Sequence, residues 1–541
     1  MKIALAQLNY HTGNFAANTQ KIIETINSVI NKADLVVFSE LAICGYPPRD
    51  FLEFEDFLLE CESSLEQIAS VCKGISAIVG APSRNNAPKG KNLYNSAYLL
   101  VNGKVEKVVS KTLLPTYDIF DENRYFEPNT QFECIEIAGK KVALTICEDL
   151  WNVDDSPLYV INPMDELVKH HPDLMINIAA SPYSNVQQAQ RSNILRANCH
   201  RYNLPLVYVN HVGAQTELIF DGDSQYINAH GETCTRLTSF KEQVEIIDTE
   251  NSNSVEDKPL HDELANVHKA LVLGIRDYFN KLGLKKAILG LSGGIDSAVV
   301  VALAAEALGA ENVLAVLMPS QYTANESVVE AINLAKNLGC QHKIISIQEL
   351  QQAFLQTLNP LFEGKPEDVT EENLQARTRG VLLMGLSNKH GFILLNTTNK
   401  SEMAVGYGTL YGDLCGGLSV IGDVYKTDVF RLARYINRDR EIIPEFIITR
   451  PPSAELKADQ QDTDSLPPYH ILDPLLKGYV EDRKGPKELI AEGFDEALVK
   501  RILRMVNMNE WKRHQTAPIL RVSKKAFGMG RRMPIVAKYL G

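Results

Sequence analysis

The sequence predicts an α/β protein of at least two units, with a mixed sheet in the first half and a doubly wound parallel sheet in the second. Three observations predict this. At 541 residues the chain is too long for one core and suits about two to four domains. Short apolar runs alternate with helical patterns along most of its length. The polar stretch Thr-Glu-Asn-Ser-Asn-Ser-Val-Glu-Asp-Lys-Pro-Leu, beginning at Thr249, reads as a linker over 249–261 and leaves domains at 1–248 and 262–541.

In the first half, strands are predicted at 3–7, 35–39, 77–80, 97–101, 142–146, 174–178 and 206–210, and helices at 18–30 and 187–202. The turn Asn102-Gly103 between two apolar runs marks an antiparallel hairpin, so this sheet is expected to be mixed. Past the linker, 263–282 reads as a helix. A strand–helix alternation then runs to about 437, the pattern of a parallel sheet with helices on both faces. The end of the chain, Phe527-Gly528-Met529-Gly530-Arg531-Arg532-Met533-Pro534, is expected to be a solvated basic tail.

Composition narrows the class. Hydrophobic residues make up 45% and charged residues 23%, with no low-complexity tract, which suits a globular protein. A net charge of -12 argues against broad nucleic-acid binding. The start reads as a first strand rather than a signal peptide, and no run of about eighteen apolar residues suggests a membrane span. Nine scattered cysteines without a Cys-x-x-Cys pair fit a reducing cytoplasm.

Two segments carry chemistry. Leu289-Gly290-Leu291-Ser292-Gly293-Gly294-Ile295-Asp296-Ser297 sits between an apolar run and an Ala/Val-rich helical run. A strand turning into a helix aims backbone N–H groups and the positive end of the helix dipole at one point, which suits an anion. The loop lacks the Gly-Lys-Ser/Thr of Walker-type loops, and Asp296 suggests a metal beside a pyrophosphate. In the first half, Glu40, Lys111 and Cys147 each end or follow an apolar run. A thiolate attacks carbonyl carbon well but needs a base, which a carboxylate supplies, while an ammonium stabilises a developing oxyanion. Spacing alone does not group the three. Singly, Cys147 reads as a buried structural thiol, Glu40 as a helix-initiating acid and Lys111 as a solvated charge.

Local context groups them. Phe38-Ser39-Glu40-Leu41, Lys111-Thr112-Leu113-Leu114-Pro115 with Asp121-Glu122-Asn123, and Ile146-Cys147-Glu148-Asp149 resemble, in order, the three signature blocks of the nitrilase/amidase superfamily. The resemblance covers about residues 1–245. It implies an α-β-β-α sandwich, with Glu40 as base, Lys111 as oxyanion support, Cys147 as nucleophile and Glu122 as a further acid. Asp149 and Trp151 are expected to shape the elbow rather than do chemistry.

The loop at 292–297 resembles the pyrophosphate loop of ATP pyrophosphatases, and the second half resembles the NAD synthetase family of amidotransferases over about 262–520. The motifs are Ser-Gly-Gly-Ile-Asp-Ser, Asn-Leu-Gln-Ala-Arg-Thr-Arg (373–379), Asn-Thr-Thr-Asn-Lys-Ser-Glu (396–402) and Pro-Ser-Ala-Glu-Leu (452–456). That likeness implies an adenine nucleotide α-hydrolase-like domain in which Gly290, Leu291, Ser292, Gly293, Gly294, Ile295, Asp296 and Ser297 hold ATP phosphates. Thr397, Lys426 and Ser453 would lie near the nucleotide. Asp296 and Glu402 would coordinate Mg²⁺, and Asn373, Glu402 and Lys512 would bind deamido-NAD. The loop 406–413 is expected to be mobile, and Lys426, read alone, would be a surface cation.

Together the halves match a glutamine-dependent amidotransferase in which a thiol amidase supplies ammonia to an adenylated carboxylate. The implied partners are glutamine, ATP and deamido-NAD, with a homo-oligomer, at least a dimer, formed through the synthetase domains. Tyr117 and Ser181 stand where the family contacts glutamine. Gln187 stands where a basic residue often lies, which leaves the contact to the substrate α-carboxylate open, with Arg191 four residues beyond. Rival readings are an amidase fused to a tRNA-modifying or GMP-forming ATP pyrophosphatase, and a non-catalytic glutamine or dinucleotide sensor. The tRNA-modifying version predicts a basic, aromatic-rich face or an added RNA domain, and the GMP-forming version a different glutaminase type. The sensor predicts the loss of Cys147, Lys111, Glu40 or Asp296, all of which are present.

Overall fold

Strand Lys2–Gln7 shows how the first half is layered, because every residue from Ile3 to Gln7 is buried. Side chains alternate across a strand, so a strand buried on both faces must lie between two layers. Ile3 and Leu5 pack inward against a second sheet, while Ala4 and Ala6 pack outward under helices Phe15–Val29 and Glu55–Val71. In the computed structural model, which describes residues 1–153, 157–251, 254, 263–457 and 460–539, the chain divides into units Met1–His261 and Asp262–Gly541. The linker expected at 249–261 falls mostly outside the described residues. Its first residue closes the sheet of the first unit, where Thr249 N–H donates to the Met1 carbonyl at 3.0 Å.

The first unit holds two six-stranded sheets. One runs Gln243–Asp248, Lys2–Gln7, Leu35–Val37, Ser76–Arg84, Leu93–Val101, Lys104–Ser110; the other runs Thr233–Arg236, Gln225–Ile227, Leu206–Asn210, Leu174–Ala179, Lys140–Ile146, Ile135–Ile137. Each has three parallel strands flanked by antiparallel ones, as the mixed-sheet reading requires. Helix Gln187–Tyr202 packs Leu195 and Cys199 on the second sheet, which completes an α-β-β-α sandwich. The hairpin turn has Asn102 and Gly103 at φ 50° and 83°, the left-handed pair of a type I′ turn. Helix Glu55–Val71 carries no side-chain cap at Phe54, the start signal that local reading needs.

The second unit is built on a five-stranded, wholly parallel sheet in the order Gln341–Ile344, Val313–Leu317, Ala287–Gly290, Ile393–Asn396, Leu418–Ser419. The chain begins this sheet at its centre and winds outward in both directions, so the switch point lies beside the end of Ala287–Gly290. The Ser-Gly-Gly-Ile-Asp-Ser loop leaves the sheet there and opens helix Ile295–Leu308. A separate apolar cluster joins Lys400–Val405, Tyr469–Val480 and Glu496–Met508.

The tail expected to be solvated is docked as far as Arg531. Phe527 is buried, and the Arg531 guanidinium pairs with Glu510 at 2.6 Å above the Phe527 ring. An apolar ring and a buried carboxylate outweigh the basic composition that suggested solvation. Among the described residues no helix is long and apolar enough to cross a membrane.

Candidate active sites

Glu40, Lys111 and Cys147 each follow a strand of the first unit, and the sandwich brings their surroundings together. Lys111 Nζ bonds Glu40 Oε1 at 2.7 Å and Glu122 Oε1 and Oε2 at 2.9 and 2.8 Å. The lysine side chain is 0% exposed and the two carboxylates 1% and 6%, so Lys111 is no solvated surface charge. Burial disfavours the Lys111 charge, but Glu122 and Glu40 outweigh it and hold its pKa well above the ordinary lysine value. Burial pushes Glu122 up to about 7, against the pull of Lys111 and with the repulsion of Glu40. The Cys147 thiol lies well above its usual range, chiefly through burial and then the Glu40 charge, with Lys111 opposing. Its burial thus favours the neutral thiol over the thiolate. Its backbone sits at φ 43°, a strained turn that lifts the residue off its strand.

Two supports hold this geometry. Glycine is required at position 80, since a Cβ there would lie 2.3 Å from Leu41 N and 2.6 Å from the Ser39 carbonyl, on the backbone that carries Glu40. Asp149 accepts N–H bonds from Thr112, Leu113 and Ile146 at 3.0, 2.8 and 3.0 Å, tying the cysteine turn to the segment after Lys111. That is the structural role expected for it.

Tyr117 and Ser181 both reach this neighbourhood. Tyr117 Oη donates to Glu148 at 2.9 Å, as does Tyr159 Oη at 3.0 Å. Ser181 is buried and follows Ala180, whose N–H donates to Glu40 Oε2 at 2.9 Å. Gln187 opens its helix half-buried, its N–H held by Ser184 Oγ at 3.2 Å. Arg191 does not stand in for a base at 187. Its guanidinium is buried and committed to Asp221 at 3.0 and 2.6 Å and to Asp223 at 3.1 Å.

In the second unit, residues Gly290 to Ser297 line a cavity of about 290 Å³, with Thr397, Glu402, Lys426 and Ser453 on its walls. Gly293 has φ +84°, and a Cβ there would meet the Ser327 carbonyl at 2.5 Å, so only glycine fits the turn. The loop serines brace it: Ser297 Oγ donates to the Gly294 carbonyl at 3.0 Å, and Gly294 N–H donates to Ser292 Oγ at 3.2 Å. Lys426 Nζ bridges Asp296 Oδ2 at 2.5 Å and Glu402 Oε1 at 3.2 Å, and is buried and paired rather than a surface cation. Asn399 caps helix Lys400–Val405, bonding Glu402 N–H, and donates through Nδ2 to Asp296 Oδ1 at 2.9 Å. Burial pushes Glu402 up to about 8, with Lys426 opposing and Asp296 adding to the shift.

Asn373 and Lys512 meet elsewhere, on the glycine-rich loop. Thr409 Oγ1 donates to Asn373 Oδ1 at 2.7 Å, and Lys512 Nζ donates to the Gly406 and Gly408 carbonyls at 3.0 and 3.1 Å. Thr409 N–H also bonds Asp413 Oδ1 at 2.6 Å, so the loop expected to be mobile is tied at several points.

Sequence reasoning gave no role to Tyr46, which donates to Glu122, or to Asn95, Glu148 and Tyr159 in the first unit, nor to Asn399 and the cavity-lining Arg450 and Asp462 in the second. Asn95 had a weak signal: with Ser96 it is a polar pair in a strand, Leu93–Val101, that is otherwise apolar or aromatic. The tyrosines had none.

The carbon-nitrogen hydrolase family model matches residues 2–255, and the NAD synthase family model matches residues 267–516. The glutamine-dependent NAD(+) synthetase of a Synechocystis species is 44% identical, with 99% of each chain covered. That of Acinetobacter baylyi is 43% identical, over 99% of this chain and 98% of its own. The chain belongs to the glutamine-dependent NAD(+) synthetase family. Like the family, it is a glutamine-hydrolysing amide ligase that makes NAD, with a nitrilase-like glutaminase unit and an NAD synthase unit. A solved glutamine-dependent NAD(+) synthetase from Acinetobacter baumannii, in complex with ADP, is 41% identical and covers 99% of both chains at a TM-score of 0.79. These full-length matches set aside the tRNA-modifying, GMP-forming and sensor readings.

Proposed function

We propose that the synthetase works through Cys147 with Glu40 and Lys111 in the first unit, and through the 290–297 loop with Asp296, Glu402 and Lys426 in the second. The closed Lys111–Glu40–Glu122 cluster around a buried thiol carries the first assignment. Glu40 takes the Cys147 proton as Sγ attacks the side-chain amide carbon of glutamine, and Lys111 stabilises the oxyanion. The C–N bond then breaks, Glu40 returns the proton to the leaving nitrogen, and ammonia departs neutral. Water hydrolyses the thioester, releasing glutamate and restoring the thiol. Tyr117, Ser181 and Gln187 form the glutamine pocket and Glu122 holds Lys111 charged.

In the second unit Gly290 to Ser297 cradle the ATP phosphates, with Thr397, Lys426 and Ser453 beside them; the ADP bound in the Acinetobacter baumannii relative supports this. Asn373, Glu402 and Lys512 bind deamido-NAD, whose carboxylate attacks the α-phosphorus as pyrophosphate leaves. Ammonia attacks the resulting acyl carbon and AMP leaves. Asp296 and Glu402 suit Mg²⁺, since both offer hard oxygen donors and already share one cation, the Lys426 ammonium. Among the described residues no three His, Cys, Asp or Glu side chains form a ready cage, which fits an ion whose other ligands are phosphate and water. When bound, Mg²⁺ would neutralise charge on the leaving pyrophosphate.

The protein is proposed to act in the cytoplasm, consistent with nine free cysteines, as a homo-oligomer joined through its synthetase units. Sedimentation at micromolar concentration tests the assembly. The decisive experiment is Cys147→Ala assayed with two nitrogen sources. Glutamine-supported NAD formation should fall at least a thousandfold, while ammonia-supported formation stays within about twofold. Equal loss with both would refute the two-site assignment.

A further inference from the structure

Asn95 is the residue around which the glutaminase carboxylates are arranged. It is 0% exposed, near the start of strand Leu93–Val101. Its Nδ2 lies 2.7 Å from Glu40 Oε1 and 3.3 Å from Glu122 Oε2, and two carboxylates can be faced only by the donor end of an amide. Its Oδ1, also buried, has no hydrogen-bond partner among the described residues. Its own carbonyl accepts the Lys111 N–H at 2.8 Å, so the same residue fixes the lysine backbone.

Counting lone pairs gives this arrangement a consequence. An ionised carboxylate offers about four acceptor positions, two on each oxygen. Glu40 Oε1 already accepts from Lys111 Nζ and Asn95 Nδ2, both at 2.7 Å, and among the described residues Oε2 accepts only from Ala180 N–H at 2.9 Å. One position remains, and it is on Oε2. We propose, resting on the assignment of Glu40 as base, that Asn95 is a positioning residue that saturates Glu40 Oε1 and thereby makes Oε2 the atom that takes the Cys147 proton. The same proton returns from Oε2 to the departing nitrogen, so the step begins and ends with an ionised Glu40 held by three donors. Without Asn95, Oε1 regains a free position, the charged form of Glu40 loses a donor, and the proton has two places to go.

The test uses the full chain and two variants. Asn95→Leu deletes the donor, and Asn95→Asp keeps the size but puts a third carboxylate between Glu40 and Glu122. Glutaminase kcat/KM is measured against pH, with ammonia-supported NAD formation measured in parallel. For Asn95→Leu, kcat should fall about tenfold or more with glutamine KM within about threefold, and the acid limb of the profile should move up by about one unit or more, the effect of one charge-assisted bond. Asn95→Asp should lose more, and ammonia-supported formation should be unchanged in both. Protection of buried Cys72 and Cys199 from iodoacetamide reports an intact first unit. An unmoved acid limb, or a smaller loss in Asn95→Asp than in Asn95→Leu, would mean that Asn95 only fills space and would overturn the proposal. So would loss of thiol protection in Asn95→Asp. If Cys147→Ala kept its glutaminase activity, the underlying assignment would fail instead, and the two failures are distinct.

Discussion

Both units set one lysine between two carboxylates, Glu40–Lys111–Glu122 in the first and Asp296–Lys426–Glu402 in the second, but the surroundings differ. The first trio is 0–6% exposed and lined with neutral donors, Asn95, Tyr46 Oη at 2.9 Å from Glu122, and Ala180 N–H, which leave one acceptor position open, on Glu40 Oε2. In the second, Asp296 and Glu402 are 18% and 15% exposed on the wall of a cavity, and Asn399 is the neutral group that bonds both. A closed cluster has most of its acceptor positions filled by the protein's own donors before any substrate arrives. An open one leaves carboxylate oxygens on the cavity wall, where the proposed cation would reach them. The same three charges, on the roles proposed above, would serve covalent catalysis in one place and anion handling in the other, with burial making the difference.

The comparison breaks most visibly at Asp296. Asp296→Asn should reduce NAD formation from either nitrogen source by at least a hundredfold while leaving glutamine hydrolysis and thermal unfolding near those of the parent. Retained turnover of deamido-NAD would remove the cation role from the open trio. The two lysines sharpen the contrast next. Lys111→Ala strands two buried carboxylates and should destabilise the first unit by about 3–5 kcal/mol, whereas Lys426→Ala leaves partly hydrated acids and should cost about half as much or less. Denaturant melts followed in each unit check this, and equal costs would erase the distinction between closed and open.

A smaller effect lies in pH. Glu122 is raised to about 7 in the folded protein from an ordinary value near 4.5, so between those values the folded state binds the extra proton. Its contribution to stability is full below about 4.5 and is lost as pH rises to 7. Glu122→Gln should flatten the pH dependence of first-unit unfolding across that window, and an unchanged slope would show that another group carries it. The smallest effect concerns the rim of the closed site. Because Arg191 is locked to Asp221 and Asp223, Gln187→Lys should lower glutamine KM several-fold with kcat unchanged, a difference that initial rates resolve. A rise in KM would place Gln187 away from the substrate carboxylate.

Much of the fold was legible locally. The strand at Leu206–Asn210, the helix at Gln187–Tyr202 and the turn at Asn102-Gly103 all lie where periodicity and turn chemistry put them, because those signals act within a few residues. The short strands Val212–Gln215, Leu218–Asp221 and Thr233–Arg236 escaped, having too few residues for a period to register. Glu55–Val71 escaped for want of a cap. The docked tail was misjudged because composition cannot tell that Arg531 has Glu510 and Phe527 to rest on.

By itself the sequence determined the two-unit order, the mixed pairing of the first unit and the parallel sheet of the second, and the motifs that tie thiol to amide and loop to nucleotide. Those are properties of neighbouring residues and of short patterns. Only the tertiary structure decided that Asn95 reaches Glu40 across 55 positions, that Lys426 reaches Asp296 across 130, and that Arg191 is spent on a buried ion pair. Such contacts depend on which strand ends the sheets bring side by side and on how far water is excluded there, and neither is encoded in any local stretch of chain.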